Sequence, residues 1–148
     1  LAQLAVVPTS LNPPQFNGLS QRLRHSATRV FQRNRHDADD RVLRAMSGML
    51  ISEFRTIDLV GRLGGEEFAV VFPETDLTGA QIACDRLLAN IEAANILVDG
   101  REIKITVSMG VATACTQMKD GASILKRADE LLYEAKTGGR NRVFVEAA

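Results

Sequence analysis

No stretch of this 148-residue chain stays apolar for the ~20 residues a membrane-spanning helix requires. No segment therefore reads as a transmembrane helix. Acidic residues are missing from the start: none occurs before Asp37, while Arg22, Arg24, Arg29, Arg33 and Arg35 crowd the same stretch. That composition matches a transit peptide, but the segment lacks a clean amphipathic pattern and is discounted as one. Cysteine is scarce. Cys84 and Cys115 stand far apart without metal-ligand spacing, so both are expected to be reduced structural thiols, as suits a cytoplasmic domain. Net charge is zero, so nothing global points to a nucleic acid polymer or a membrane surface. Internal repeats and low-complexity linkers are absent too. Because the chain begins without Met, the expectation is a module of a larger protein whose sensor or regulatory region lies elsewhere.

What is present is enough for one well-buried domain and too little for two. The composition, 45% hydrophobic and 24% charged, is that of a globular protein. The chain is organised around Gly61-Arg62-Leu63-Gly64-Gly65-Glu66-Glu67-Phe68 and the apolar residues after it. Two apolar runs, Ile57 to Leu63 and Phe68 to Phe72, flank a Gly-Gly pair, which predicts an antiparallel hairpin with glycines supplying positive φ. The pair Glu66-Glu67 is open to two interpretations. It can be a solvated acidic tip, as turns commonly are. Alternatively, a turn bare of side chains admits a phosphate against the backbone, and neighbouring carboxylates can hold a divalent cation for it.

Leu4 to Val7 predicts a buried strand ended by Pro8, and residues from about Phe16 to Arg33 a basic helix. Val42, Leu43, Met46, Met49, Leu50 and Phe54 form the stripe of a helix that starts near Asp37. Asp76 or Thr78 can cap a second helix with Ile82, Leu87, Leu88 and Ile91 as its core stripe. Ile96 to Val98, Asp99-Gly100, then Ile103 and Ile105 predict a second hairpin, continuing into an interior strand to Ala112. Asp120 opens a third helix through Ile124, Ala128, Leu131, Leu132 and Ala135 that Gly138-Gly139 stops, and Arg142 to Val145 closes as a strand. The expected fold is an α/β (α+β) sandwich with a mostly antiparallel central sheet flanked by helices.

Four ordered blocks carry a resemblance. They are Asp40-Arg41-Val42-Leu43; Gly64-Gly65-Glu66-Glu67-Phe68 with Asp58 to Arg62 ahead of it; Ile105 to Ala112; and Ala128-Asp129 through Lys136 to Gly139-Arg140-Asn141. Together they resemble the GGDEF family, the bacterial diguanylate cyclases, from about His36 to the C-terminus. The resemblance implies one domain overall, with 1–36 a divergent N-terminal segment (first strand and basic helix) and 37–148 the GGDEF-like, nucleotidyl-cyclase-like domain. It also implies a Mg²⁺- or Mn²⁺-dependent transferase in bacterial signalling that condenses two GTP molecules into cyclic di-GMP across a homodimer. On that footing Glu66 would ligate the metal, with Glu67 beside it as the second catalytic carboxylate. Gly64 and Gly65 would let the triphosphate approach, Asp40 would accept from guanine, and Lys136 and Arg140 would grip the terminal phosphates. Lys136 taken alone is equally well a solvated residue of a helix C-terminus. Arg55, Asp58 and Arg86 fall where the family carries an inhibitory cyclic di-GMP site giving allosteric product inhibition, although Arg-x-x-Asp by itself is most often a surface pair.

The family's first strand ends in a cation-binding Asp, followed soon after by an Asn for guanine. Aligned without gaps from His36, those places fall on Leu23 and Phe31. If Leu4 to Val7 is the strand, Thr9 and Asn17 take them; a third register matches Ser10 to Asn12 and Gln15-Phe16 to the family's opening helix and leaves no strand. Asp37 or Asp39 can substitute only if the backbone lets them reach, and residues 1–36 can also be foreign sequence. Two functions therefore stand: a cyclase, or a catalytically impaired domain that binds cyclic di-GMP or GTP as a sensor or regulatory module.

Overall fold

Leu4 to Val7 are apolar without alternation, the pattern of a strand covered on both faces. In the computed structural model of the chain, which describes residues 2–9, 38–113 and 121–147, they form the centre of β1 (Ala2–Thr9). Leu4 and Val6 enter one apolar cluster and Ala5 and Val7 another, because successive side chains of a strand point to opposite faces. β1 is the middle of a five-stranded sheet ordered β2-β3-β1-β6-β7. Its neighbours are β2 (Leu59–Gly64), β3 (Glu67–Pro73), β6 (Val107–Val111) and β7 (Val143–Val145). A separate hairpin pairs β4 (Ile96–Val98) with β5 (Arg101–Ile103). Its Asp99-Gly100 turn holds both residues at positive φ, +52° and +75°, as a tight two-residue hairpin demands.

The first face of the sheet is covered by α1 (Ala38–Glu53) and α2 (Leu77–Ala93). From α1, Met46 and Leu50 are buried, and Phe54, just past its end, meets Phe72 edge-on with ring centroids 4.9 Å apart. A pair of this kind adds about 0.5–1.5 kcal/mol beyond its area. Asp76 caps α2, its Oδ1 accepting from the Gly79 N–H at 2.7 Å. The buried stripe of α2 is Ala80, Cys84, Leu87 and Ile91. Ile82, expected in that stripe, is instead 60% exposed, since two residues at 100° each carry it about 200° round from Ala80. Cys84 takes the core place, and burial pushes its thiol up so that it stays protonated. α3 (Gly121–Thr137) covers the second face through Ile124, Ala128, Leu131 and Ala135, spaced by four, three and four.

The sheet corrects the mostly antiparallel expectation. Among the described residues of this sheet, only β2–β3 runs antiparallel; β1–β3, β1–β6 and β6–β7 are all parallel. The α/β class holds, with a mixed sheet between helical layers. The error has a physical source. Period-two patterning tells which residues share a face but not which way a strand runs, and a helical crossover such as α3 returns the chain to start its next strand in the same direction. Pro8 also does not end β1, which continues to Thr9. The pairing with β6 stops at Val6 opposite Val111, so proline's missing N–H falls where β1 has lost one neighbour. The basic helix expected from Phe16, together with Leu23, Phe31, Asp37, Cys115 and Asp120, lies outside the described residues.

Candidate functional site

The hairpin of β2 and β3 turns at Gly65-Glu66, with Gly64 opposite Glu67. Gly65 sits at φ +50°, which glycine takes without the Cβ penalty. The register slips between Arg62 and Gly64, leaving Leu63 as the extra residue of a bulge, 39% exposed. Arg62 Nε donates to the Gly65 carbonyl at 2.7 Å and pins the turn. Among the described residues, and apart from the glycine's own chain neighbours, no atom lies within 4 Å of where a Cβ on Gly64 or Gly65 would stand. Backbone at the tip is therefore open to a ligand, and Glu66 and Glu67 are exposed beside it.

Asp129 belongs to this neighbourhood, although the sequence reading gave it no role. Partial burial first, and the charge of Glu67 second, hold its carboxyl above the usual carboxylate range, while Lys136 draws it back. Two helical turns separate Asp129 from Lys136, so α3 presents both on one face. That spacing was the available signal. A folded-state value above the unfolded one means the folded chain binds this proton more tightly. The group then favours folding below its unfolded value, and the contribution is lost as pH rises through the folded value. Asp129→Asn is thus expected to raise the melting temperature slightly at neutral pH, with the gap closing in acid. Melting curves of both proteins across pH 3–7 check this; a gap that widens in acid would contradict it.

Arg140 follows α3 in the left-handed region at φ +62°, exposed, four residues after Lys136. Asp40 stands in the first turn of α1, and there the structure pairs it with Arg44 at 3.1 Å.

The residues expected to bind product lie elsewhere. Arg55 Nη2 donates to Asp58 Oδ1 at 3.0 Å, to Thr75 Oγ1 at 2.6 Å and to the Pro73 carbonyl at 3.3 Å. Asp58 Oδ2 accepts from the Arg55 N–H at 2.7 Å, and the Asp58 side chain is only 2% exposed. Arg86 pairs with Glu53, which also accepts from Asn90 Nδ2 at 2.5 Å. Glu53 was not singled out in the sequence, because its partners lie 33 and 37 residues away and no local pattern records them. Pro73 ends the strand that Glu67 begins, so this cluster and the acidic tip stand at opposite ends of β3, roughly 20 Å apart at ~3.3 Å per residue.

The same register corrects one expectation for the first strand. A residue ending β1 can reach the start of β3 only if the two strands are antiparallel. They are parallel, with Gln3 opposite Glu67 and Thr9 opposite Pro73. Thr9 therefore cannot stand in for a carboxylate beside Glu66. Among the described residues no three His, Cys, Asp or Glu side chains come together as a metal cage. Glu66 and Glu67 alone fit a cation that arrives with a triphosphate, since Mg²⁺ is commonly held by one or two carboxylates plus substrate phosphates. They do not fit a resident cation held by protein alone.

A family model described as diguanylate cyclase, GGDEF domain, matches residues 32–142. Diguanylate cyclase A of Treponema denticola is 38% identical over 108 residues, 73% of this chain and 29% of that protein. The chain thus spans under a third of that relative's length. The active GGEEF domain of a diguanylate cyclase from Vibrio cholerae is similar in fold, with a TM-score of 0.66 and 25% identity over 88% of this chain and 89% of that one. The GGDEF domain of DgcB from Caulobacter crescentus, solved in complex with c-di-GMP, gives a TM-score of 0.69 and 27% identity over 80% of this chain and 71% of that one. Among the described residues no helix is long and apolar enough to cross a membrane.

Proposed function

The chain belongs to the GGDEF-domain family of diguanylate cyclases, and from that premise we propose that it condenses two GTP molecules into cyclic di-GMP, each held by one domain of a facing pair. The observation that carries this reading is the open Gly64-Gly65 tip with Glu66 and Glu67 exposed beside it; the charge of Glu67 also reaches Asp129 on α3. A ribose 3′-hydroxyl of one nucleotide attacks the α-phosphorus of the other, and pyrophosphate leaves. Such a displacement needs alignment of attacking and leaving oxygens and donors on the phosphates. Lys136 and Arg140 supply charge-assisted donors, Asp40 accepts from the guanine edge once released from Arg44, and the glycines admit the triphosphate to the backbone. Glu66 would hold a cation brought with GTP, which when bound would neutralise phosphate charge. The remaining parts of the reading are a cytoplasmic location and a sensor or regulatory segment attached to this domain in a longer protein.

The test is mass spectrometry of the purified chain incubated with GTP and Mg²⁺. Cyclic di-GMP is expected, with specific activity falling on dilution as the facing pair dissociates. GTP binding without any product at any protein concentration would sink the cyclase reading.

A second reading, a binding module without turnover, is favoured by the parallel run of β1, which puts that strand's end at the wrong end of β3. Its ligand would be cyclic di-GMP at Arg55, Asp58 and Arg86. Asp58 and Thr75 already hold the Arg55 guanidinium in place, half exposed, so it meets a phosphate or guanine edge without first being ordered. Contacts to charged groups are worth about 1.5–3 kcal/mol, so Arg55→Ala is expected to weaken cyclic di-GMP binding by about tenfold or more. Calorimetry on both proteins checks it; equal affinity would make Arg55-Asp58 an ordinary surface pair.

A further inference from the structure

The turn after α3 is held in a conformation its residues do not favour. Gly139, Arg140 and Asn141 have φ of +122°, +62° and +48° in succession. Two consecutive non-glycine residues in the left-handed region are uncommon, although asparagine tolerates it better than most. The turn is fastened on several sides. The Arg140 N–H donates to the Ala135 carbonyl at 3.0 Å, closing the helix end, and the Met109 N–H donates to the Arg142 carbonyl at 2.9 Å, leading the chain into β7. Asn141 makes the long-range contacts. Its N–H donates to Oγ of Ser108, a fully buried serine of β6, at 3.2 Å, and its side-chain Nδ2 donates to Glu92 of α2. Asn141 Oδ1 is buried with no hydrogen-bond partner, the one such side-chain atom among the described residues. An unpartnered buried acceptor disfavours folding, so the placement of Asn141 is not explained by stability alone.

We propose that Asn141 is a positioning residue for Arg140. Bolted to β6 through Ser108 and to α2 through Glu92, it holds the preceding residue in the left-handed conformation that aims the Arg140 guanidinium at the terminal phosphates of GTP. Among the described residues no acceptor meets that guanidinium, which leaves it available to an anionic ligand. The inference rests on the phosphate-gripping role proposed above for Arg140. It adds that the grip depends on a neighbour that touches no nucleotide. A fixed donor loses less freedom on binding than a mobile one, and the difference appears in affinity for the group it grips.

The experiment measures GTP and GMP affinity by calorimetry, in magnesium-containing buffer, for the parent chain and four variants. Arg140→Ala is expected to weaken GTP binding by about tenfold and leave GMP unchanged. Asn141→Ala is expected to weaken GTP by about fivefold with GMP again unchanged, and Asn141→Gly to recover part of that loss because glycine accepts positive φ. Glu92→Ala changes only an exposed helix position, and is expected to shift GTP affinity in the same direction by a smaller factor. Equal loss for GTP and GMP in Asn141→Ala overturns the proposal, since a general structural defect would not choose between them. So does undiminished GTP affinity in Asn141→Ala while Arg140→Ala weakens it. If Arg140→Ala itself leaves GTP unaffected, the phosphate role of Arg140 falls and the positioning role falls with it. Should Asn141→Ala fail to fold, unchanged GTP affinity in Glu92→Ala is the overturning result.

Discussion

Gly110→Ala is expected to lower the melting temperature by about 10 °C, corresponding to roughly 3 kcal/mol in a domain of this size. A Cβ on Gly110 would stand 2.2 Å from the Ala128 carbonyl oxygen, 2.3 Å from the Leu132 nitrogen and 2.9 Å from the Leu131 carbonyl carbon. All three are backbone atoms of α3, so no side chain can swing aside to make room. The helix must lift from the sheet, loosening the cluster in which Ile124, Ala128 and Leu131 meet Ala5, Val7, Ala69 and Val71. The loss is large against the ~5–15 kcal/mol that holds a typical domain together. Because α3 carries Asp129 and Lys136, GTP affinity should fall even where the variant remains folded. Thermal unfolding of both proteins checks the first effect. A melting temperature within about 2 °C of the parent would mean that α3 does not rest on β6 as described.

Glu66→Gln is expected to reduce cyclic di-GMP formation by at least about a hundredfold, the size of effect seen when a group stabilising transition-state charge is removed. Glutamine keeps the size of the side chain and removes its charge. Glu66 lies in an exposed turn, so neither burial nor core packing is at stake and the melting temperature should not move. Product formation is followed by mass spectrometry at fixed GTP and Mg²⁺, with circular dichroism as the check on folding. Activity equal to the parent would remove Glu66 as a cation-binding residue. The same variant should leave cyclic di-GMP binding at Arg55 intact, because that cluster lies at the other end of β3.

What the sequence made legible follows from the range of the interactions involved. The hairpin at Gly64-Gly65, the Asp99-Gly100 turn, the Asp76 cap and the stripes of α1 and α3 are set by neighbours within a few residues, and pattern and turn chemistry record them. Strand direction is not recorded locally, which is why β1 was anticipated as a strand while its parallel run beside β3 was not. In α2 hydrophobicity favours Ile82, the larger and more apolar side chain, whereas the helical period requires Cys84. Motif spacing singles out the acidic tip, Lys136 and Arg140 as candidates. It does not single out their supports: Asn141 meets Ser108 and Glu92 across 33 and 49 residues, and Glu53 meets Arg86 across 33. Such pairs exist only once the sheet has assembled.

The position of β1 also bears on how the chain acquires its structure. β2 with β3, and β6 with β7, are neighbours that touch within the sheet only through β1. Residues 2–9 must therefore wait for residues 67–73 and 107–111 before either edge of the strand is paired. Long loops have to close before this contact gives any return, and folding slows as the sequence separation of native contacts grows. Until then an apolar strand with two open edges is available to any other chain at hand, the situation in which intermediates aggregate. Refolding yield should consequently fall as protein concentration rises, and the amides of β1 should gain their protection from hydrogen exchange last, after the local hairpin that bears the acidic tip.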